Sequence, residues 1–129
     1  MRTERVILID DNETDNFFHS IALKKAGFEG EVQAFERPEE GLAFLLKDQI
    51  QVPTCVFLDI NMPQINGFTV ARTLAERLKP HAGFSLFMLS SSNWSADARE
   101  AKGIPLIAGF LVKPLTTSTA AKLLFESGD

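Results

Sequence analysis

Three carboxylates in this sequence could act together. Asp10 and Asp11 follow the apolar residues 6–9, and Asp59 follows the apolar residues 55–58. Carboxylates that converge within a few ångströms repel one another, which raises the pKa of at least one of them unless a cation lies between them. A small number of hard oxygen ligands with room for water suits Mg²⁺ better than a caged Ca²⁺. If these side chains meet in the fold, they predict a site for Mg²⁺ or Mn²⁺.

Two further polar side chains follow apolar runs in the same way. Ser90 follows residues 85–89, and Lys113 follows residues 109–112. A metal ion with a lysine that faces a carboxylate is typical of sites for phosphoryl transfer. Catalysis of that reaction is mainly positioning and charge neutralisation. Asp59, the single acid after its run, is then the candidate nucleophile that forms an acyl phosphate. Lys113 would place a point charge on a phosphoryl oxygen, and Ser90 could donate its hydroxyl to another.

The elements that must position these residues are buried parallel strands. Apolar runs without alternation are typical of strands covered on both faces. The predicted strands are residues 6–9, 31–35, 55–58, 85–89 and 109–112, of which 31–35 alternates as an edge strand does. We therefore predict an α/β fold with a five-stranded parallel sheet and five helices on both faces. The polar residues then lie at the carboxyl ends of strands, where ligands bind in open α/β sheets.

Helical patterns separate these strands. The first helix is predicted from Asn12 or Thr14 to Ala26, the second from Pro38, the third from Gly67 to Lys79-Pro80, the fourth over 95–102, and the last from a cap at 116–118 to Gly128. On the first helix we expect Phe18, Ile21, Ala22 and Ala26 to face the sheet. His19 and His81 have no partner motif, so we expect them at the surface or at helix ends.

Length and composition limit the possible functions. The 129 residues suffice for one domain spanning 1–129. A net charge of −4 with 13 scattered basic residues argues against direct binding of nucleic acid. No apolar run has the length of a signal or of a membrane span, and the lone Cys55 excludes disulfides and thiolate metal sites. We expect a cytoplasmic protein that contacts neither membrane nor nucleic acid directly.

Ordered motifs at the five predicted strand ends resemble those of the receiver domain of bacterial two-component response regulators. The motifs are Asp10-Asp11, Asp59 followed by Asn61, Met62-Pro63 and Gly67, Ser90 after its apolar run, and residues 110–114. They agree over essentially the whole chain, and their joint agreement is specific although each alone is weak. The resemblance implies a flavodoxin-like sheet with strand order 2-1-3-4-5, in a stand-alone receiver.

The resemblance also implies how phosphate and metal would be bound. Asp59 would accept a phosphoryl group from a phosphohistidine on a sensor histidine kinase. Asp11, Asp59 and the backbone carbonyl of Asn61 would hold Mg²⁺ or Mn²⁺, and Asp10 would mostly orient metal-bound water. Such a protein would support only its own phosphorylation and dephosphorylation and would not be an enzyme in the ordinary sense.

Further implied roles concern the switch. Ser90 would be the switch hydroxyl, with Ser91 as an alternative one residue later, and Phe110 the coupled aromatic. They replace the more common Thr and Tyr, which keeps the hydroxyl and the ring but removes the phenol. The Lys113-Pro114 peptide bond is expected to be cis.

The expected output is a change in the face formed by the fourth helix, fifth strand and fifth helix. Arg99, Lys102 and Lys122 are candidate contacts there for an unknown downstream protein. The chain would be a monomer or a phosphorylation-dependent dimer.

Two alternatives remain open. A haloacid-dehalogenase-like, Mg²⁺-dependent phosphatase also uses an Asp nucleophile at a strand end, but its pattern places a second Asp two residues later, where this chain has Asn61. The chain could also be a phosphate-shuttle receiver cut from a hybrid kinase. Repeated turnover of phosphate monoesters would favour the phosphatase.

Overall fold

The computed structural model describes residues 3–78, 83–91 and 95–126. Its elements are β1 (Arg5–Ile9), α1 (Glu13–Lys25), β2 (Glu31–Phe35), α2 (Pro38–Asp48), β3 (Thr54–Asp59), α3 (Gly67–Arg77), β4 (Phe84–Ser90), α4 (Ser95–Lys102), β5 (Ile107–Val112) and α5 (Thr117–Ala121), which continues as a π-helical turn, Lys122–Glu126. The predictions for His81, for Lys79-Pro80 and for Gly128 fall outside the described residues.

All five strands are parallel and form one sheet in the order β2-β1-β3-β4-β5. This confirms the predicted flavodoxin-like architecture. The chain runs outward from β1 to β2 and then returns to place β3 on the other side of β1. The carboxyl ends of β1 and β3 are therefore neighbours, and in such sheets a ligand crevice opens at this point.

Two apolar clusters cover the two faces of the sheet. One cluster contains Ile7, Val56 and Met88 with residues from α2, α3 and α4. The other contains Leu8 and Phe57 with residues from α1 and α5. The unbroken apolar patterns of β1 and β3 follow from this arrangement, since both strands are buried at every residue. Within the described ranges, no helix is both long and apolar enough to span a membrane.

The fifth strand carries a β-bulge. Leu86 pairs with Ile107, but the next residue of β4, Phe87, pairs with Gly109, so that Ala108 is the extra residue. A bulge shifts every later residue by one position, which decides the face on which each side chain lies. Phe110 consequently packs against the first of the two apolar clusters, the one with residues from α2, α3 and α4.

The orientation of α1 differs from the predicted one. Phe18 was expected to face the sheet, but its side chain is 57% exposed, whereas His19, expected at the surface, is 2% exposed. The physical reason is a buried hydrogen bond, because Asn16 Nδ2 donates to the carbonyl oxygen of Asp10 at 3.0 Å. This contact turns Asn16 and His19 towards the sheet, and Phe17 and Phe18 therefore lie on the outside.

Candidate functional site

The three predicted carboxylates meet at the carboxyl edge of the sheet. One oxygen from each of Asp10, Asp11 and Asp59 lies within 4.8 Å of the other two. Asp10 and Asp59 are buried, while Asp11 is accessible to solvent. The cluster thus consists of two buried carboxylates and one carboxylate that solvent can reach.

Lys113 reaches this cluster from the loop after β5. Its Nζ lies 2.7 Å from Asp10 Oδ2, 2.8 Å from Asp15 Oδ2 and 3.3 Å from Asp59 Oδ1. The backbone positions the lysine, because its N–H donates to the carbonyl oxygen of Ser90 at 2.7 Å. The Lys113-Pro114 bond that follows is cis. The ammonium group is thus shared among three acids and lies farthest from Asp59.

The pKa values express how these charges oppose one another. Burial, and then the charge of Asp10, raise the pKa of Asp59 to about 6, against the opposing effects of Lys113 and of the Asn61 backbone N–H. Burial alone would lower the pKa of Lys113, but its close contacts with Asp10 and Asp15 and the nearby carboxylate charges outweigh burial and raise that pKa above its ordinary value. The positive charge of Lys113 therefore does not offset the burial of the Asp59 carboxylate, whereas Lys113 itself stays protonated.

Asp10 is fixed from several sides. The N–H of Asn12 donates to its Oδ1 at 2.9 Å, and its own N–H donates to the carbonyl oxygen of Phe35 at 3.1 Å. Its buried Oδ2 has no well-aligned hydrogen bond and faces the Lys113 charge. A buried carboxylate oxygen with spare acceptor capacity suits a metal-bound water, which donates hydrogen bonds.

The loop between β3 and α3 folds back over the end of its own strand. The N–H of Gly67 donates to the carbonyl oxygen of Ile60 at 2.8 Å. A Cβ atom at Gly67 would lie 2.3 Å from the carbonyl oxygen of Asp59, so only glycine allows this approach. The side chain of Asn66 caps α3 by accepting from the N–H of Phe68 at 2.8 Å. The loop thereby holds Asn61, which is exposed, beside the carboxylate of Asp59.

The side chains proposed for the switch lie on the neighbouring strands. Ser90 is the last residue of β4 and is fully buried, whereas Ser91 lies beyond the strand and is exposed. Asp59 pairs with Leu89, so Ser90 is one residue beyond the acid in the register of the sheet. Phe110 pairs with Met88 and is half-buried. The hydroxyl and the ring therefore lie between the acids and α4.

The predicted partner face contains a shallow groove between α4 and β5. Its volume is about 380 Å³, and it is lined by Ala98, Ala101 and Lys102 of α4 and by residues 107–110 of β5. The side chains of Arg99, Lys102 and Lys122 are exposed. Phe110 is thus one of the residues that line the groove.

Three residues near the site were not predicted from the sequence. Asp15 binds Lys113, Asn16 binds the backbone of Asp10, and His19 is buried on the same side of α1. Burial lowers the pKa of His19, while the charge of Asp10 raises it and that of Lys113 lowers it. The spacing of Asn12, Asp15, Asn16 and His19 places four polar residues on one face of the helix after β1, and this spacing is the signal that could have revealed them.

The donor set fits a hard divalent cation. Asp11 and Asp59 supply carboxylate oxygens within 4.8 Å of each other. Asn61, whose backbone carbonyl was predicted as a further ligand, lies two residues after Asp59 and is exposed. Mg²⁺ prefers a few such ligands and keeps several waters, which the accessible side of the cluster allows. An acidic pocket of this composition is a general feature of the family to which the comparisons below assign the chain.

Comparison with known proteins supports the same assignment. A family model described as response regulator receiver domain matches residues 6–124. A two-component response regulator of Cytophaga hutchinsonii is 25% identical, with a TM-score of 0.85 and 95% of each chain covered. A response regulator receiver protein of Dyadobacter fermentans is 29% identical, with a TM-score of 0.81 and 95% of each chain covered.

A third solved structure is the chemotaxis protein CheY4 of Vibrio cholerae, which is 25% identical with a TM-score of 0.77 and is covered over 98% of its length by 96% of this chain. No curated protein sequence matches significantly. The family model covers nearly the whole chain. The protein therefore belongs to the response regulator receiver domains, the signalling modules of two-component systems.

Proposed function

We propose that this receiver, a single domain over residues 1–129, accepts a phosphoryl group on Asp59 from a sensor histidine kinase in the cytoplasm, with Mg²⁺ bound. The observation that carries the proposal is the position of the Asp59 carboxylate, which lies 3.3 Å from Lys113 Nζ and within 4.8 Å of oxygens of Asp10 and Asp11. The candidate nucleophile thus lies close to one cation and to two further carboxylates.

Each residue of the site has its own role in the phosphoryl transfer. The ionised Oδ of Asp59 attacks phosphorus, and the bond to the donor's histidine nitrogen breaks, so that an acyl phosphate forms. Lys113 binds a phosphoryl oxygen as a fixed positive charge. Asp11, Asp59 and the Asn61 carbonyl would hold Mg²⁺ or Mn²⁺, which would neutralise charge on the phosphoryl oxygens. Asp10 accepts hydrogen bonds from metal-bound water.

The response follows from the new charge. Phosphorylation replaces the single negative charge of the Asp59 carboxylate by an acyl phosphate with about −1.5 to −2 charges, spread over three phosphoryl oxygens that accept hydrogen bonds. Ser90 donates its hydroxyl to one of these oxygens, and Phe110 moves into the space that the β4 end leaves. The face of α4, β5 and α5 then changes and binds a downstream protein through Arg99, Lys102 and Lys122.

The phosphatase alternative is not favoured by the site. A phosphatase of the haloacid-dehalogenase type needs a second acid to activate water two residues after the nucleophile. That position is Asn61, which is exposed and has no carboxylate. The chain therefore lacks a carboxylate at the position where this class of phosphatase carries its second acid.

Labelling with a small phosphodonor tests the proposal. Acetyl phosphate with Mg²⁺ should add one phosphoryl group to the protein, detected by intact mass spectrometry. Asp59→Asn should abolish the adduct, because its amide cannot form the acyl phosphate. Asp97→Asn, on α4, is the matched control and should be labelled like the parent. Undiminished labelling of Asp59→Asn would refute the proposal, and so would steady release of phosphate from monoesters over many turnovers.

A further inference from the structure

Asp15 is a fourth acid at the site and has no role in the function described so far. Its Oδ2 accepts a hydrogen bond from Lys113 Nζ at 2.8 Å, across 98 residues of sequence. That contact is shorter than the 3.3 Å between Lys113 and Asp59. In this state the lysine is therefore bound more closely to Asp15 than to the acid that is to be phosphorylated.

The position of Asp15 is set by the start of α1. Its N–H donates to the side chain of Asn12, the N-cap, at 3.1 Å. One residue later, Asn16 is tied to the carbonyl of Asp10 by the buried hydrogen bond that fixes the rotation of the helix. Asp15 therefore contacts Lys113 from a helix whose first turn is hydrogen-bonded to the residues that follow β1.

The three acids around Lys113 differ in how readily they can release it. The side chains of Asp10 and Asp59 are 3% and 6% exposed, whereas that of Asp15 is 35% exposed. A buried carboxylate that loses its cation has no water to replace it, which is costly. The more exposed Asp15 carboxylate can instead be hydrated when it releases Lys113.

A lysine ammonium group has three N–H donors, and these acids already occupy its surroundings. A phosphoryl group on Asp59 brings further acceptor oxygens and a larger negative charge. One existing contact must then be released, and the most exposed acid is the one that yields at least cost.

We propose that Asp15 is a positioning residue that competes with the phosphoryl group for Lys113 and so sets how readily the receiver becomes loaded. The proposal rests on the function proposed above. In the unloaded state Asp15 binds the lysine more closely than Asp59 does, and in the loaded state the lysine leaves Asp15 for the phosphoryl oxygen. Repulsion between the Asp15 carboxylate and the phosphoryl group acts in the same direction.

The experiment compares the parent, Asp15→Asn and Glu13→Gln. Glu13 is the matched control, because it is exposed in the same first turn of α1 and makes no ion pair with any residue in the described part of the chain. Each variant removes one negative charge at the same helix end. The probe is beryllium trifluoride with Mg²⁺, a mimic of the phosphoryl group, titrated by calorimetry, with Asp59→Asn as the control for the site of binding.

Asp15→Asn should bind beryllium trifluoride about two- to fivefold more tightly than the parent, the range that one partly exposed ion pair covers. Glu13→Gln should bind like the parent. The NMR signal of the Lys113 ammonium group supplies a readout without metal. It should differ between parent and Asp15→Asn before loading and coincide after loading.

Two results would overturn the inference alone: equal or weaker binding by Asp15→Asn, or an equal gain in Glu13→Gln, which would show that any charge at this helix end has the same effect. A Lys113 signal that Asp15→Asn leaves unchanged before loading would also overturn it. If the parent does not bind the mimic at all, the proposed function fails and the inference fails with it.

Discussion

The two sides of the sheet's carboxyl edge are built differently. Around β1 and β3, two fully buried strands end in acids that Lys113, Asn12 and the returning Gly67 loop hold in place. Around β4 and β5, an eight-residue α4 lies over a bulged strand and leaves a groove of about 380 Å³. Elements with few buried apolar contacts open at low free-energy cost. The first side holds charges at fixed positions, and under the function proposed above we expect the second side to move when those charges change.

Removing the central cation should have the largest effect. In metal-free protein, Lys113→Ala leaves the buried Asp10 and Asp59 without a partner and should lower the free energy of unfolding by about 2 to 3 kcal/mol. Because its pKa is raised from 10.5, the stabilisation by Lys113 is fully present below pH 10.5 and is lost only at higher pH. Urea unfolding at neutral pH measures the loss, and saturating Mg²⁺ should restore most of it.

Lys102→Ala is the control on the other side of the edge, since this exposed lysine of α4 makes no ion pair with a residue of the described ranges. Its effect should stay within about 0.5 kcal/mol. Equal effects of the two substitutions would contradict the difference between the two sides.

A Cβ atom at Gly67 should have the next largest effect. Gly67→Ala would place that atom 2.3 Å from the Asp59 carbonyl oxygen, so the loop must shift. Overpacking of this kind costs about 1 to 3 kcal/mol, and labelling by acetyl phosphate should fall with it. At Gly103, after α4, the nearest atom to a new Cβ is 3.4 Å away, so Gly103→Ala should change neither quantity appreciably. Normal labelling of Gly67→Ala would mean that the loop does not position Asp59.

The buried carboxylate of Asp59 predicts a pH dependence of stability. Its pKa is raised from 3.8 to about 6, so the folded state binds more protons than the unfolded state between these values. The free energy of unfolding should therefore fall as the pH rises through this window, by about 1 to 2 kcal/mol. Asp59→Asn should remove that fall and stabilise the metal-free protein at pH 7. Denaturant unfolding of both proteins between pH 4 and pH 8 measures this, and the difference between the parent and Asp59→Asn isolates Asp59 from other titrating groups such as His19. If that difference does not change in this direction across the window, the assignment is contradicted.

On the side of β4 and β5, Phe110→Leu should have the smallest effect on stability. The side chain is half-buried, and an apolar replacement of this kind usually costs less than about 1.5 kcal/mol. Labelling should continue at the parent's rate, but the changes in the NMR spectrum of α4 on loading should be lost. Leu111→Met, on the opposite face of β5, is the control and should keep them. If Phe110→Leu still transmits the change to α4, the ring is not the coupling element.

The sequence predicted the strands that carry the acids better than the helix beside them. Unbroken apolar runs ending in Asp10 and Asp59 were sufficient, because a strand buried on both faces needs no knowledge of its neighbours. The rotation of α1 was not predictable from apolar spacing, since Asn16 and His19 take inward positions that the pattern assigned to Phe18. One buried hydrogen bond to a backbone carbonyl outweighed the burial of an aromatic ring, and Asp15 was missed for the same reason.

The extra residue in β5 has a consequence for changes in chain length. Because Ala108 is exposed and lies outside the register, Phe110 and Lys113 keep their partners whether or not that residue is present. A deletion at Ala108 should therefore leave the lysine at the acids. A deletion at Leu111 would draw Lys113 one residue back into the strand and away from Asp10. The bulge is thus the point in β5 where the length of the chain can vary without loss of the site.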